Sequence, residues 1–239
     1  MCIEKQAREL IVLTEIIFVT GTDTEVGKTV ISSALLKAAR RHSKETLGLK
    51  PVAAGSDIVN GALRNEDALA LIAASGTKLP YEQVNPVCVR EAIAPHIALD
   101  RIGKHVLVSE LANHCREVIS EDHELVLIEG AGGWFVPLNE TESLADFAVL
   151  LGAKIVLVVG MKLGCLNHAF LTQAAIRASG LQLAGWIANC ATETMPFLKE
   201  NLASLDRGLN APCLGRVPNL DDPSHAVDFV DIKPLLPRD

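Results

Sequence analysis

Ile16-Ile-Phe-Val-Thr-Gly-Thr-Asp-Thr-Glu-Val-Gly-Lys-Thr29 is the stretch on which the reading of the chain turns. Its first residues are β-branched and aromatic, the composition of a buried strand. Gly21, Gly27, Lys28 and Thr29 then mark a turn, and Val30–Ala39 repeats apolar residues at helical spacing. Strand, glycine turn and helix in that order build a phosphate-binding P-loop. Backbone N–H groups and the helix N-terminus face an anion, the Lys28 ammonium reaches the outer phosphates, and the Thr29 hydroxyl takes a Mg²⁺ position. One detail departs from the strict pattern. Five residues, Thr22 to Val26, separate the two glycines where four are standard, so Thr22 stands where the first glycine is expected.

Outward from this loop, the chain reads as one unit. Its 239 residues are 49% hydrophobic but only 4% aromatic, as expected of parallel strands buried under helices with an aliphatic core. Strands alternate with helices throughout, without repeat or linker, which predicts a single doubly wound, mostly parallel α/β sheet over residues 15–239. Residues 1–14 read as a loosely held extension. A net charge of −7 and the lack of a Lys/Arg run exclude a nucleic-acid footprint. No signal-peptide core or uncharged run of membrane-spanning length occurs, which predicts a soluble, cytoplasmic protein. The six cysteines lie far apart with no Cys-x-x-Cys pair, as for reduced and mostly buried thiols.

Further candidates stand at the ends of the predicted strands, where open α/β sheets bind ligands. Thr46–Leu49 reads as a short strand because Pro51 cannot continue it, and Lys50 at its end is either a second phosphate-side cation or a solvated lysine. Asn65 caps a helix that stops at Gly76, and Asp67 in its first turn suits the helix dipole by itself. Residues 78–97, with three prolines, read as mostly loop, and His96 as a packing residue. Val106–Ser120 reads as a helix. Glu124-Leu-Val-Leu-Ile-Glu-Gly-Ala-Gly-Gly133 has the form of a Walker-B strand ending in an acid, Glu129, that serves Mg²⁺. Ala153–Gly160 and Leu183–Cys190, the latter with Asn189 at its C-terminal end, are two more buried strands. Between them a helix over Ala169–Ser179 takes Asn167 as its cap, and Gly164 leaves room for a close approach, for an anion or for capping alone. A helix over Pro196–Ser204, a short strand from Cys213 and a polar tail over Pro218–Asp239 complete the reading.

Five segments together, Gly-Thr-Asp-Thr-Glu-Val-Gly-Lys-Thr (21–29), Lys-Pro-Val (50–52), Glu-Gly-Ala-Gly-Gly (129–133), Lys-Leu-Gly-Cys-Leu-Asn-His (162–168) and Trp-Ile-Ala-Asn (186–189), closely resemble dethiobiotin synthetases. The resemblance runs from about Ile16 to Asn219, and the long P-loop is that family's own form. It implies an ATP-dependent, cytoplasmic, homodimeric cyclo-ligase that closes a cyclic urea on diaminopelargonic acid with CO₂. The intermediates implied are a carbamate and a phosphorylated carbamate, and the products leave with ADP and phosphate.

By the same resemblance, Lys28 and the amides of Glu25, Val26, Gly27, Thr29 and Val30 cradle phosphate, with Gly130, Ala131 and Gly132 nearby. Thr29, Asp67 and Glu129 hold Mg²⁺, and Lys50 is the catalytic lysine between carbamate and γ-phosphate. Asn189, Val217, Pro218 and Asn219 bind adenine. Gly164, Cys165, Leu166 and Asn167 receive the substrate carboxylate across the dimer interface. Ala54 departs from the family, which usually has Ser or Thr there to contact substrate; a water or Ser56 is the expected substitute. A partition-type switch ATPase and a related synthetase for a different diamine are the alternative readings. The first would carry a second lysine early in the loop, where this chain has Thr22, Asp23 and Thr24.

Overall fold

The computed structural model of the chain describes residues 14–190 and 195–236. The expected extension therefore lies outside the described residues up to Thr14, whose hydroxyl already donates to the His123 carbonyl at 2.8 Å. Ten strands follow in chain order among the described residues: β1 (Glu15–Gly21), β2 (Thr46–Leu49), β3 (Val52–Ala53), β4 (Asp57–Val59), β5 (Ala62–Arg64), β6 (Val87–Cys88), β7 (Leu125–Glu129), β8 (Lys154–Gly160), β9 (Leu183–Asn189) and β10 (Cys213–Val217). Six of them form one sheet in the order β10-β9-β8-β1-β7-β2, and every pairing in it is parallel. β3 pairs with β6, and β4 with β5.

Because β1 sits between β7 and β8, the chain winds outward from it in both directions. The carboxyl end of β1 is thus the point where the strand order reverses, and crevices for ligands open there. Period-2 alternation along β1 supplies both faces. Ile16 and Phe18 point to the side packed by helices Val108–Val118 and Leu144–Leu151. Ile17 and Val19 point to the side packed by the P-loop helix, Lys28–Arg41, and by helix Glu66–Ala74. Phe18 meets Trp134 and Phe147 edge-on, with ring centroids 6.3 and 6.1 Å apart. A third cluster joins Leu157 and Trp186 of the sheet to helices Cys165–Ala178 and Leu198–Gly208.

Several local expectations need correction. Helix Glu66–Ala74 does end with Gly76 just past its cap, as expected, but the cap, Ser75, is extended and Gly76 N–H donates to both oxygens of Thr46. The helix after β8 begins at Cys165, capped by Gly164 at φ 95°, so Asn167 lies inside its first turn rather than before it. The segment after Lys78 is less of a loop than expected: short helices form at Tyr81–Val84 and Pro95–Arg101. The tail is packed, since Ala226, Val227, Ile232 and Leu235 join the cluster around the P-loop helix. Of the described cysteines, Cys115 and Cys165 are buried while Cys88, Cys190 and Cys213 are partly exposed, and all of these are free. Among the described residues no helix is long and apolar enough to cross a membrane.

Candidate active site

The P-loop leaves β1 through a backbone that only a few residue types tolerate. Glu25 takes φ 57° and Gly27 φ 81°. A side chain at Gly27 would also collide with the Asn189 amide, so glycine is required there for both reasons. Asn189, at the end of β9, donates from Nδ2 to the Val26 carbonyl at 2.8 Å and braces the loop from below. Lys28 and Thr29 then open the helix, with Lys28 Nζ folded back to the Asp23 carbonyl at 3.2 Å.

Three other elements bring charge to this point. Lys50 leaves β2, Asp67 lies in the first turn of helix Glu66–Ala74, and Glu129 ends β7. Lys50 Nζ donates to Glu129 Oε1 at 2.6 Å and to the Gly130 carbonyl at 3.1 Å, and lies 3.0 Å from Asp67 Oδ2. The Thr29 hydroxyl sits 2.6 Å from Asp67 Oδ1 and 2.9 Å from Glu129 Oε1. Residues separated by up to a hundred positions thus close a single knot of one ammonium, two carboxylates and a hydroxyl, with the Lys28 ammonium beside it.

Burial and neighbouring charge together set the charge states. Lys28 is pushed down to about 8, first by burial and then by repulsion from Lys50, against the pull of Glu129, Asp67 and Asp23. Burial acts on Lys50 in the same sense, but Glu129 and Asp67 more than offset it and hold the ammonium above lysine's ordinary value. Asp67 is held below the usual carboxylate range: burial opposes this, and Lys50 and the Thr29 hydroxyl outweigh it.

A cleft of about 750 Å³ opens over the knot, with Lys28, Thr29, Lys50, Asp67 and Glu129 on its floor and Ala54 and Ala131 on its wall. Ser56 is not available to it. The side chain is buried, and its Oγ accepts from the Cys88 thiol at 3.0 Å, so replacing a hydroxyl at Ala54 would take a shift of Ser56 or a water. Ala92 to Pro95 and Phe135 also line the cleft and were not singled out from the sequence. The Trp134-Phe135 pair after Gly132-Gly133 was the available signal: Trp134 is buried and Phe135 is exposed.

Two groups of expected site residues lie elsewhere. Val217 ends β10 and Pro218 and Asn219 follow it; the Val217 carbonyl accepts from Cys190 N–H at 2.8 Å, next to the end of β9 and Asn189. Gly164 to Asn167 do not line the cleft of their own chain; they start a helix whose neighbours Leu163 and Leu171 are 95% and 61% exposed. One link joins them to the loop: Lys162 Nζ lies 2.7 Å from Asp23 Oδ2.

A parallel sheet whose first strand feeds a phosphate loop, with lysines and acids gathered at its carboxyl edge, defines a P-loop nucleoside-triphosphate protein. The solved structure of the MinD cell division protein of Aquifex aeolicus shares this fold at a TM-score of 0.55 and 14% identity, over 93% of each chain. A family model described as an AAA domain matches residues 15–226. ATP-dependent dethiobiotin synthetase BioD of Cellvibrio japonicus (strain Ueda107) is 52% identical over 92% of this chain and 96% of its own. The protein of the same name from Pseudomonas aeruginosa (strain UCBPP-PA14) is 50% identical over 91% and 96%. The chain belongs to the family of ATP-dependent dethiobiotin synthetases.

Proposed function

We propose that the cleft carries out its family's reaction on diaminopelargonic acid, CO₂ and ATP, with the residues of the charged knot in the roles their positions suit. The observation that carries this reading is Lys50, a buried ammonium between two acids on the floor of the cleft it shares with the P-loop lysine. A fixed cation there favours the anionic carbamate over amine and CO₂ and then faces the charge that develops on the γ-phosphate as the carbamate oxygen attacks it. Lys28 and the loop amides from Glu25 to Val30 hold the phosphates. Alignment and charge neutralisation are most of what phosphoryl transfer asks of a protein. The second amine then closes the ring as phosphate leaves.

The donor set fits Mg²⁺. Thr29, Asp67 and Glu129 offer oxygen ligands only, and Glu129 Oε2 is buried without a hydrogen-bond partner. Bound there, Mg²⁺ would neutralise phosphate charge in the way P-loop enzymes require. Asn189 and Val217 to Asn219, outside the cleft lining but beside the P-loop at the ends of β9 and β10, bind the adenine in this reading. A second copy of the chain would supply Gly164 to Asn167 to the substrate carboxylate; their distance from their own cleft and the exposed Leu163 and Leu171 support this. The free thiols suit a reducing, cytoplasmic setting. The MinD likeness, at 14% identity, concerns fold alone and does not favour a switch ATPase.

The test is phosphate release from purified protein with ATP, Mg²⁺, bicarbonate and diaminopelargonic acid, each omitted in turn, with mass analysis of the product. Release that requires both bicarbonate and diamine and yields dethiobiotin is expected. Release indifferent to the diamine would overturn the reading.

A further inference from the structure

Lys50 is held by its backbone as firmly as by its ammonium. β2 ends at Leu49, its last ladder partner being Ile128, and Pro51 has no N–H to offer. The segment Tyr81–Val87 takes over from the sheet at this point. Lys50 N–H donates to the Val84 carbonyl at 3.0 Å, and Val87 N–H donates to the Pro51 carbonyl at 3.1 Å. Between them, Asn85 Nδ2 donates to the Lys50 carbonyl at 2.6 Å and to its near neighbour Val87 O at 3.1 Å. Asn85 is 3% exposed.

The contacts continue to the second charged element. Tyr81 Oη donates to Asn85 Oδ1 at 2.7 Å and accepts the Asn65 backbone N–H at 2.7 Å. Asn65 caps the helix that carries Asp67, through Ala68 N–H at 3.3 Å. Tyr81 is itself fixed by the Arg64 guanidinium 4.2 Å above its ring. A buried amide and a phenol therefore tie the backbone of Lys50 to the start of the Asp67 helix, two elements that the central sheet does not join.

We propose that Asn85 and Tyr81 are positioning residues for the ligase reaction: they fix the Lys50 backbone relative to the Asp67 helix so that the ammonium meets the reacting oxygens. The proposal rests on the reading of Lys50 as the lysine between carbamate and γ-phosphate. Neither side chain lines the cleft, so both act through Lys50. A misplacement of about 1 Å at a reacting group costs about 10²-fold in rate.

The experiment is a cycle of Asn85→Ala, Lys50→Ala and the double variant, read as single-turnover rate and as KM for ATP in the homogeneous, folded enzyme. Asn85→Ala should lower the rate by about 10²-fold with the KM for ATP within about twofold, and should add no further loss to Lys50→Ala. Tyr81→Phe, which keeps the ring and its volume, should show the same pattern in weaker form and serves if Asn85→Ala does not fold. An equal loss from the Asn85 or Tyr81 change in both backgrounds would mean general structural support and would overturn the proposal. If Lys50→Ala loses turnover while the Asn85 and Tyr81 variants keep it, the proposal falls and the reading of Lys50 stands. If Lys50→Ala keeps full turnover, both fall.

Discussion

At the scale of single residues, the site divides into groups that carry charge and groups that leave room. Lys50→Ala should lower turnover by about 10²–10³-fold, the usual loss for one preorganised charge donor, while nucleotide still binds to Lys28 and the loop amides. Isothermal titration with a non-hydrolysable ATP analogue, beside steady-state rates, separates the two effects. Ala54 is the opposite case, a wall position without a hydroxyl and with Ser56 engaged by Cys88. Ala54→Ser should therefore lower the KM for the diamine about fivefold, one neutral hydrogen bond of about 1 kcal/mol, and leave the KM for ATP unchanged. Equal KM values in the two proteins would show that position 54 does not contact the substrate. Lys28, Thr29 and Glu129 were legible as residues because each stands at a strand end or in the loop itself, whereas position left Lys50 open between a second cation and a solvated lysine. Asp67 was not: a carboxylate in a first helical turn is explained by the dipole alone, and only the family resemblance and then the fold brought it to Lys50.

At the scale of elements, the sequence was clearest where local chemistry decides. β2 stops at Leu49 because Pro51 follows, β7 ends in its acid, and β9 spans Leu183–Asn189 as the apolar run requires. The hairpin β4–β5 was missed although Asn60-Gly61, at φ 52° and 80°, is the favoured sequence for such a turn. Helix Leu144–Leu151 was missed as well. Its capping box, Ser143 with Asp146, was readable, but eight residues between glycine-rich segments give little periodicity. His123, in the turn before β7, offers an element-scale test. Its Nδ1 accepts the Ser120 N–H at 3.0 Å, so the ring is neutral, and burial first, against Asp122 and Glu45, holds it below histidine's ordinary value. The unfolded chain therefore binds more protons than the fold in the window just below pH about 6.5, and stability is lost as pH falls through it. In urea unfolding between about pH 5 and 7, His123→Gln should lose less stability on acidification than the parent. A parallel pH dependence in the two proteins would remove His123 from the acid response.

At the scale of the molecule, the parallel sheet was legible from the alternation of apolar strands and helices, whereas the fate of the last stretch was not. Residues after Pro218 are polar on average, and their few apolar members have no period that marks them as core. They become core only because the P-loop helix presents Ile31 and Leu35 to them across the fold. Leu235, fully buried there, should cost about 2–5 kcal/mol when changed to Ala, with thermal unfolding about 4–20 °C lower for a chain of this size. An unchanged midpoint would mean that the tail is not part of the cooperative unit.

The same packing orders events during synthesis. The phosphate loop is complete once Thr29 is made, yet its helix gains its outer partners, Ala226 to Leu235, some two hundred residues later. β1 likewise waits for β7 and β8, each more than a hundred residues downstream. A ribosome-bound chain therefore carries the nucleotide motif long before it can hold a nucleotide, and ATP can reward only the completed fold with the stability that binding adds.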